Sequence, residues 1–230
     1  PKAAFGRQHP FGAAFCCRET SGQDIFQNGS GCPDGSIFIG CVGGKTGETM
    51  EVYLILLGLI LILGRWMPQT GPERKYYIAL MAVMHLLLCG LRHPHLTGDL
   101  MKYHWEFLTS GAASWMPAGK NPGFFLLMKA IFHLSNGNFQ IFLLLIAAVR
   151  ELAAAVVIYR CSPAPWLSYL AWNCLGFYLF GFSALKQALG MSFVMLAFLG
   201  IWEQRPKLFL VMVLLAGSVH LPMLSFLPAY

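Results

Sequence analysis

A short polar segment between two apolar stretches carries the side chains best suited to chemistry. Residues 91–108, LRHPHLTGDLMKYHWEFL, contain four charged residues and three histidines, although only 11% of the chain is charged. The guanidinium of Arg92 can bind a phosphate through two parallel hydrogen bonds and stays protonated. The carboxylate of Asp99 can accept a proton or bind a hydroxyl, and Tyr103 shares its helical face. These residue types indicate an anion clamp beside a catalytic or hydroxyl-binding group.

Structural roles would also explain the two charged groups. Arg92 directly follows an apolar segment, where a long basic side chain can serve as an interfacial anchor. Asp99 follows a glycine and can serve as the N-cap of a helix over 100–108. We favour the clamp for Arg92, because it lies on the side of the predicted membrane bundle that ordinarily lacks basic residues.

Three more polar residues lie far along the chain. Lys186 and Gln187 occur in FSALKQALG, where two predicted helices meet, and either could contact a phosphate or a glycan; a lysine near a helix end can also extend to the membrane interface. His220 occurs in the apolar sequence SVHLPML, where it is either a buried structural histidine or an acid–base group.

Composition excludes several function classes. The chain is 57% hydrophobic, above the roughly 45–50% of soluble domains, so lipid is the expected solvent for most of it. The net charge of +6 comes from dispersed residues without a basic run, so we expect no nucleic-acid partner. The sequence GGKTGE has Ile39 where a phosphate-binding loop needs its first glycine.

We likewise expect neither a metal nor a cofactor. The seven cysteines lack metal-ligand spacing. His93, His95 and His104 have no fourth ligand at a fixed spacing, and Pro94 stiffens the first pair.

Hydropathy predicts an all-α, polytopic membrane helix bundle. A spanning helix needs about 20 mostly apolar residues, and about six segments qualify with some tilt or thinning. The predicted spans are 51–67, 76–91, 139–160, 165–182, 184–202 and 207–228. The segment 123–134 is short and contains Lys129 and His133, so we expect an interfacial or re-entrant helix. Within span 139–160, Arg150 and Glu151 should face the bundle interior, because an unpaired charge is costly there.

The distribution of basic residues predicts the orientation. Loop 65–75 carries three basic residues and one acidic residue, which indicates the cytoplasmic side. If 123–134 does not span, Arg160 and the loop 203–207 also lie in the cytoplasm. Segment 92–121, turn 182–190 and His220 then share the outer side.

The two ends of the chain differ from this pattern. Residues 1–49 are rich in Gly, Ser and Cys and have no helical or strand periodicity. We interpret them as a disordered or non-native leader, with Met50 as the natural start. The membrane domain 50–230 ends directly after an apolar segment, so we expect it to be incomplete at its C-terminus.

The order of these motifs resembles that of the EpsG family of exopolysaccharide biosynthesis proteins, which are relatives of Wzy-type polymerases. The resemblance covers roughly 50–230 and rests on Arg92 followed by GDLMKY, NPGFFLL, FSALKQALG and VHLPML. Asn121 stands where the family usually has Glu, and Lys186 stands where it usually has Arg. The second difference keeps the charge but loses the bidentate geometry.

The resemblance implies a multi-pass protein of the bacterial cytoplasmic membrane with a GT-C-like fold. Its implied activity is polymerisation, at the outer face, of polyprenyl-diphosphate-linked oligosaccharide repeats for exopolysaccharide or capsule, without a metal. Expected partners are that lipid-linked glycan, membrane lipid and other exopolysaccharide assembly proteins. Asp99 and His220 are the candidate catalytic residues, and Arg92, Tyr103, Lys186 and Gln187 are the candidate substrate-binding residues. A flippase for the same lipid-linked sugars and a non-catalytic scaffold are the alternatives.

Overall fold

The described part of the protein is helical throughout. The computed structural model describes residues 46–93, 97–113 and 121–230, and among them there is no strand. The expectation for the N-terminal leader falls almost entirely on residues outside this description, and the first helix begins at Thr46. The helices are α1 Thr46–Trp66, α2 Arg74–Gly90, α3 Gly98–Ala112, α4 Pro122–Leu134, α5 Phe139–Cys161, α6 Pro165–Cys174, α7 Phe177–Phe180, α8 Leu185–Trp202 and α9 Pro206–Val219, followed by a 3-10 helix, Leu221–Ala229.

Helix starts are set by caps and prolines. The Thr97 hydroxyl accepts the backbone N–H of Leu100 at 3.2 Å and caps α3. The sequence offered the N-cap as a structural role for Asp99, but the cap is Thr97. Asp99 lies in the first turn, where its negative charge interacts favourably with the helix dipole. Asn138 caps α5 in the same way, and α4, α6 and α9 begin with a proline at the first turn.

Helices α2 and α5 pack antiparallel, and polar residues lie at the two opposite ends of this pair. At one end, the Arg74 guanidinium donates to the carbonyl oxygen of Tyr159 at 2.8 Å. The Glu203 carboxylate, which follows α8, pairs there with Arg160 at 3.3 Å and with Arg205 at 3.1 Å. We call this the basic end, defined by Arg74, Arg160, Glu203 and Arg205.

The opposite end is where α2 finishes and α5 begins. The side-chain amide of Gln140 donates there to the carbonyl oxygen of Gly90. A Cβ on Gly190, near the start of α8, would lie 3.4 Å from the Cβ of His220, which follows α9. We call this the Arg92 end, defined by Gly90, Arg92, Gln140, Lys186 and His220.

Helix α4 starts and finishes at the Arg92 end. The Asn121 side chain, just before α4, accepts the backbone N–H of Leu221 at 3.4 Å. The turn 135–138 then joins α4 directly to the start of α5. The helix therefore does not run between the two ends, and the interfacial or re-entrant placement expected for 123–134 stays a prediction.

Two predicted spans differ from their expected continuous form. Segment 165–182 is divided into α6 and α7, because Gly176 adopts a left-handed conformation (φ 80°) that ends helical propagation. Segment 207–228 changes from α-helix to 3-10 helix at His220. Pro222 lacks an N–H and disfavours the α conformation of the residue before it, so the α-helix cannot continue.

Apolar helices long enough to cross a membrane are present among the described residues. Helices α5 and α8 meet the requirements of length and composition, and Tyr53–Trp66, Pro122–Leu134 and Pro206–Val219 are shorter apolar helical segments. The core of the Arg92 end is aromatic: it includes Phe107, Phe124 and Phe142.

The α8–α9 hairpin predicts a steric effect at Gly200. A Cβ at this position would lie 2.6 Å from the backbone nitrogen of Phe209, and a backbone neighbour cannot move away cheaply. Gly200→Ala should therefore cost about 1–3 kcal/mol and lower the apparent melting temperature of the detergent-purified protein. Gly58→Ala is the matched control, because a Cβ there meets nothing within 4 Å. Equal melting temperatures for the two variants would contradict this packing.

Candidate functional site

Arg92 is buried immediately after α2. Its side chain is 6% exposed, and its Nη1 donates to the carbonyl oxygen of Cys89 at 2.6 Å and contacts the Sγ of the same residue. The guanidinium lies over the ring of Phe182, with Cζ 5.2 Å from the ring centroid. These contacts fix one edge and one face of the group.

The other edge of this guanidinium is unpaired. Nε and Nη2 are buried and have no hydrogen-bond partner among the residues that the structure describes. These two nitrogens form one side of the planar fork, which binds a carboxylate or phosphate through two parallel hydrogen bonds. Burial lowers the pKa of Arg92, because it penalises the charged form. A bound oxyanion would satisfy both donors and remove this penalty.

Lys186, in the first turn of α8, is surrounded by groups from α3 and α4. Its Nζ lies 5.5 Å from the ring centroid of Tyr103 and 5.6 Å from that of Phe124. It also lies 3.7 Å from Oε2 of Glu106, so the ammonium is flanked by two rings and a carboxylate. Because the side chain is 21% exposed, the charge is only partly desolvated.

His220 stands beside this lysine. It ends α9 in an extended conformation, and it lies close enough to Lys186 for the charge of the lysine to act on it. A neutral imidazole at this position can accept a proton. We call Tyr103, Glu106, Phe124, Lys186 and His220 the Lys186 cluster.

The structure brings some predicted site residues together and leaves others apart. Tyr103, Lys186 and His220 lie in the Lys186 cluster, whereas Asp99 and Gln187 are exposed. The pKa of Tyr103 is raised mainly by burial, and the charges of Glu106 and Asp99 add to this effect. Arg92 contacts Cys89 and Phe182 rather than the cluster.

Glu106 is the carboxylate that the sequence did not assign to the site. It lies one helical turn after Tyr103, so the same face of α3 carries both toward Lys186. This spacing of three residues was the available signal. Asp99 drew attention instead, because it follows a glycine at a predicted turn.

A second polar group lies deeper, in the middle of α5. Arg150 and Glu151 are 3% and 1% exposed, and Nη2 of the arginine lies 2.6 Å from Oε1 of the glutamate. The prediction that both face the bundle interior is confirmed. His85 and Asn173 are buried nearby and contact each other at 2.9 Å.

Metal-binding clusters are not found in the described part of the chain: no three His, Cys, Asp or Glu side chains there are grouped to hold an ion. His104 instead stacks on the ring of Phe139, with centroids 4.6 Å apart. His95 lies outside the described residues.

Comparison with known proteins identifies the family. The model of the EpsG family matches residues 75–230, which include all helices from α3 onward and most of α2. The chain belongs to the EpsG family, and a role in exopolysaccharide biosynthesis follows from this membership. No curated protein and no solved structure matches the chain.

Proposed function

We propose that this member of the EpsG family polymerises polyprenyl-diphosphate-linked oligosaccharide repeats, in exopolysaccharide or capsule biosynthesis, at the outer face of the bacterial cytoplasmic membrane. The observation that carries the proposal is the unpaired Nε–Nη2 edge of buried Arg92. A lipid diphosphate supplies the oxyanion that this edge lacks, and it would bind where an apolar helix reaches the membrane surface.

The Lys186 cluster supports the same reaction from the sugar side. Aromatic rings and a carboxylate are suitable for stacking on a sugar and for hydrogen-bonding its hydroxyls. Phe182 contacts Arg92 and lies four residues before Lys186, so the clamp and the cluster are joined by a short segment. Lys186 adds a second positive charge on the approach to the diphosphate.

The proposed reaction is a glycosyl transfer with a diphosphate leaving group. A hydroxyl oxygen of the acceptor glycan attacks the anomeric carbon of the donor, and the bond from that carbon to the diphosphate oxygen breaks. The hydroxyl proton passes to a base, for which neutral His220 and the carboxylates of Glu106 and Asp99 are the candidates. The lipid diphosphate departs with its additional negative charge held by Arg92.

We also propose the membrane arrangement that this reaction requires. The basic end lies in the cytoplasm, in accord with its Arg74, Arg160 and Arg205, and the Arg92 end lies outside. About six spanning segments with a re-entrant α4 would give a GT-C-like bundle. The broken α6–α7 segment fits this arrangement, because irregular backbone is tolerated at membrane depth where protein surrounds it.

A flippase for lipid-linked sugars is the second candidate function. It is favoured by the buried polar group around Arg150 and Glu151, since a transport path needs polar side chains within the membrane. A non-catalytic scaffold of the same pathway is the third. The two active candidates differ in where unpolymerised repeats accumulate: outside for a defective polymerase and inside for a defective flippase.

Arg92 variants test the proposed polymerase. Arg92→Ala should shorten the cell-surface polymer to single repeats, because loss of a buried charge-assisted contact costs about 2–5 kcal/mol. Arg92→Lys should also be defective, since an ammonium keeps the charge but lacks the planar fork. Gel analysis of the polysaccharide gives the chain length, and immunoblotting of membranes gives the amount of protein.

Arg205→Ala serves as the control, because Arg205 is an exposed arginine at the basic end. It should leave the polymer unchanged. Full-length polymer from membranes containing normal amounts of Arg92→Ala protein would refute the proposed clamp.

A further inference from the structure

We propose that Arg150 is a positioning residue, which holds the guanidinium of Arg92 in its anion-binding orientation without touching the ligand. It acts through the segment 178–182, which lies between the middle of α5 and the Arg92 end. The inference rests on the proposed function, since it assigns a role to a residue behind the proposed diphosphate clamp.

Arg150 is held in place by its neighbour. Both Nε and Nη2 donate to Oε1 of Glu151, at 2.9 and 2.6 Å, and both side chains are buried in the middle of a long apolar helix. A charge in such a place is costly unless it is paired, and removal of one partner leaves the other charge uncompensated. The pair therefore keeps the guanidinium of Arg150 in one position.

The remaining nitrogen of Arg150 contacts segment 178–182. Nη1 donates to the carbonyl oxygen of Tyr178 at 3.3 Å, and Cζ lies 5.3 Å from the centroid of that tyrosine ring. At Gly181, the position of a Cβ would lie 1.1 Å from the same Nη1, so the guanidinium fills the space that a side chain would need. Arg150 thus fixes both the carbonyl direction at Tyr178 and the close approach at Gly181.

The segment in turn supports the clamp. The ring of Tyr178 packs edge-on against Phe182, with centroids 5.2 Å apart and planes at 82°. Phe182 supports the face of the Arg92 guanidinium at 5.2 Å. The contacts run without interruption from Arg150 to Arg92. A substitution of Arg150 should therefore change the orientation of the Arg92 guanidinium.

Direct binding of the ligand by Arg150 does not fit these contacts. Each of its three side-chain nitrogens already donates to Glu151 or to Tyr178, and the residue is 3% exposed. Arg92 differs in this respect, because two of its nitrogens have no partner within the described residues. One arginine is therefore suited to support and the other to binding.

The test measures binding of farnesyl diphosphate to the full chain in detergent, with farnesol as the reference that lacks the diphosphate. The ratio of the two affinities isolates recognition of the anion. Arg92→Ala should reduce this ratio about 100-fold, and Arg150→Met about 10-fold, with farnesol binding unchanged. Arg160→Met, which removes an exposed arginine from the same helix, should leave the ratio at the wild-type value.

The double variant decides whether Arg150 acts through Arg92. If it does, adding Arg150→Met to Arg92→Ala should cause no further loss, because the residue that it positions is absent. Full additivity of the two losses, or a wild-type ratio in Arg150→Met, would overturn the inference. A wild-type ratio in Arg92→Ala would instead refute the proposed clamp itself.

A second variant covers the case in which Arg150→Met does not fold. Phe182→Leu removes the ring beneath Arg92 and leaves the Arg150–Glu151 pair intact. It should reduce the farnesyl diphosphate to farnesol ratio several-fold in the wild-type background and have no effect beside Arg92→Ala. A folded Phe182→Leu protein with a wild-type ratio would overturn the inference on its own.

Discussion

The antiparallel contact between α2 and α5 is the constraint on which the other arrangements depend. At Gly90 the two helices approach so closely that a Cβ would lie 3.2 Å from the Cα of Leu144. This contact places the beginning of one helix beside the end of the other. Arg74 therefore meets the carbonyl oxygen of Tyr159 at one end, and Gln140 meets that of Gly90 at the opposite end. Helices α8 and α9 run between the same two ends: α8 starts beside Lys186 and is followed by Glu203, and α9 starts after Arg205 and is followed by His220.

The cost of burying an unpaired charge distinguishes Arg92 from the other cations of the interior. An apolar interior penalises an unpaired ion strongly, so a folded chain ordinarily pairs or exposes each one. Arg150 follows this rule through Glu151, and Lys186 follows it through partial exposure and its contact with Glu106. Arg92 departs from it, since a whole edge of its guanidinium is buried without a partner among the described residues. This exception is the structural observation that supports the proposed anion site at Arg92.

The sequence predicted the features that are governed by charge and hydropathy. The cost of an unpaired charge in an apolar helix correctly placed Arg150 and Glu151 in the interior. The interfacial or re-entrant placement of the segment around Lys129 stays a prediction. The family resemblance, drawn from short motifs in a fixed order, agrees with the family match over 75–230. The break at Gly176 was not predicted, because segment 165–182 is apolar on both sides of the glycine and hydropathy does not report backbone conformation. Glu106 was not assigned to the site from the sequence, because its contact is with Lys186, a residue 80 positions away. The roles of all six predicted site residues in binding or catalysis stay predictions: Arg92, Asp99, Tyr103, Lys186, Gln187 and His220.

Compartment labelling tests the central claim most directly, which is that the groups of the Arg92 end face the outside while the basic end faces the cytoplasm. Single cysteines would be introduced into a cysteine-free chain at the exposed positions His93 and Gln187, and at Gln69 and Arg205 near the basic end. We expect a membrane-impermeant maleimide to label 93 and 187 in intact cells, and to label 69 and 205 only after permeabilisation. Labelling of 93 and 187 from opposite compartments would contradict the account, because the clamp and the Lys186 cluster could then not act on one substrate.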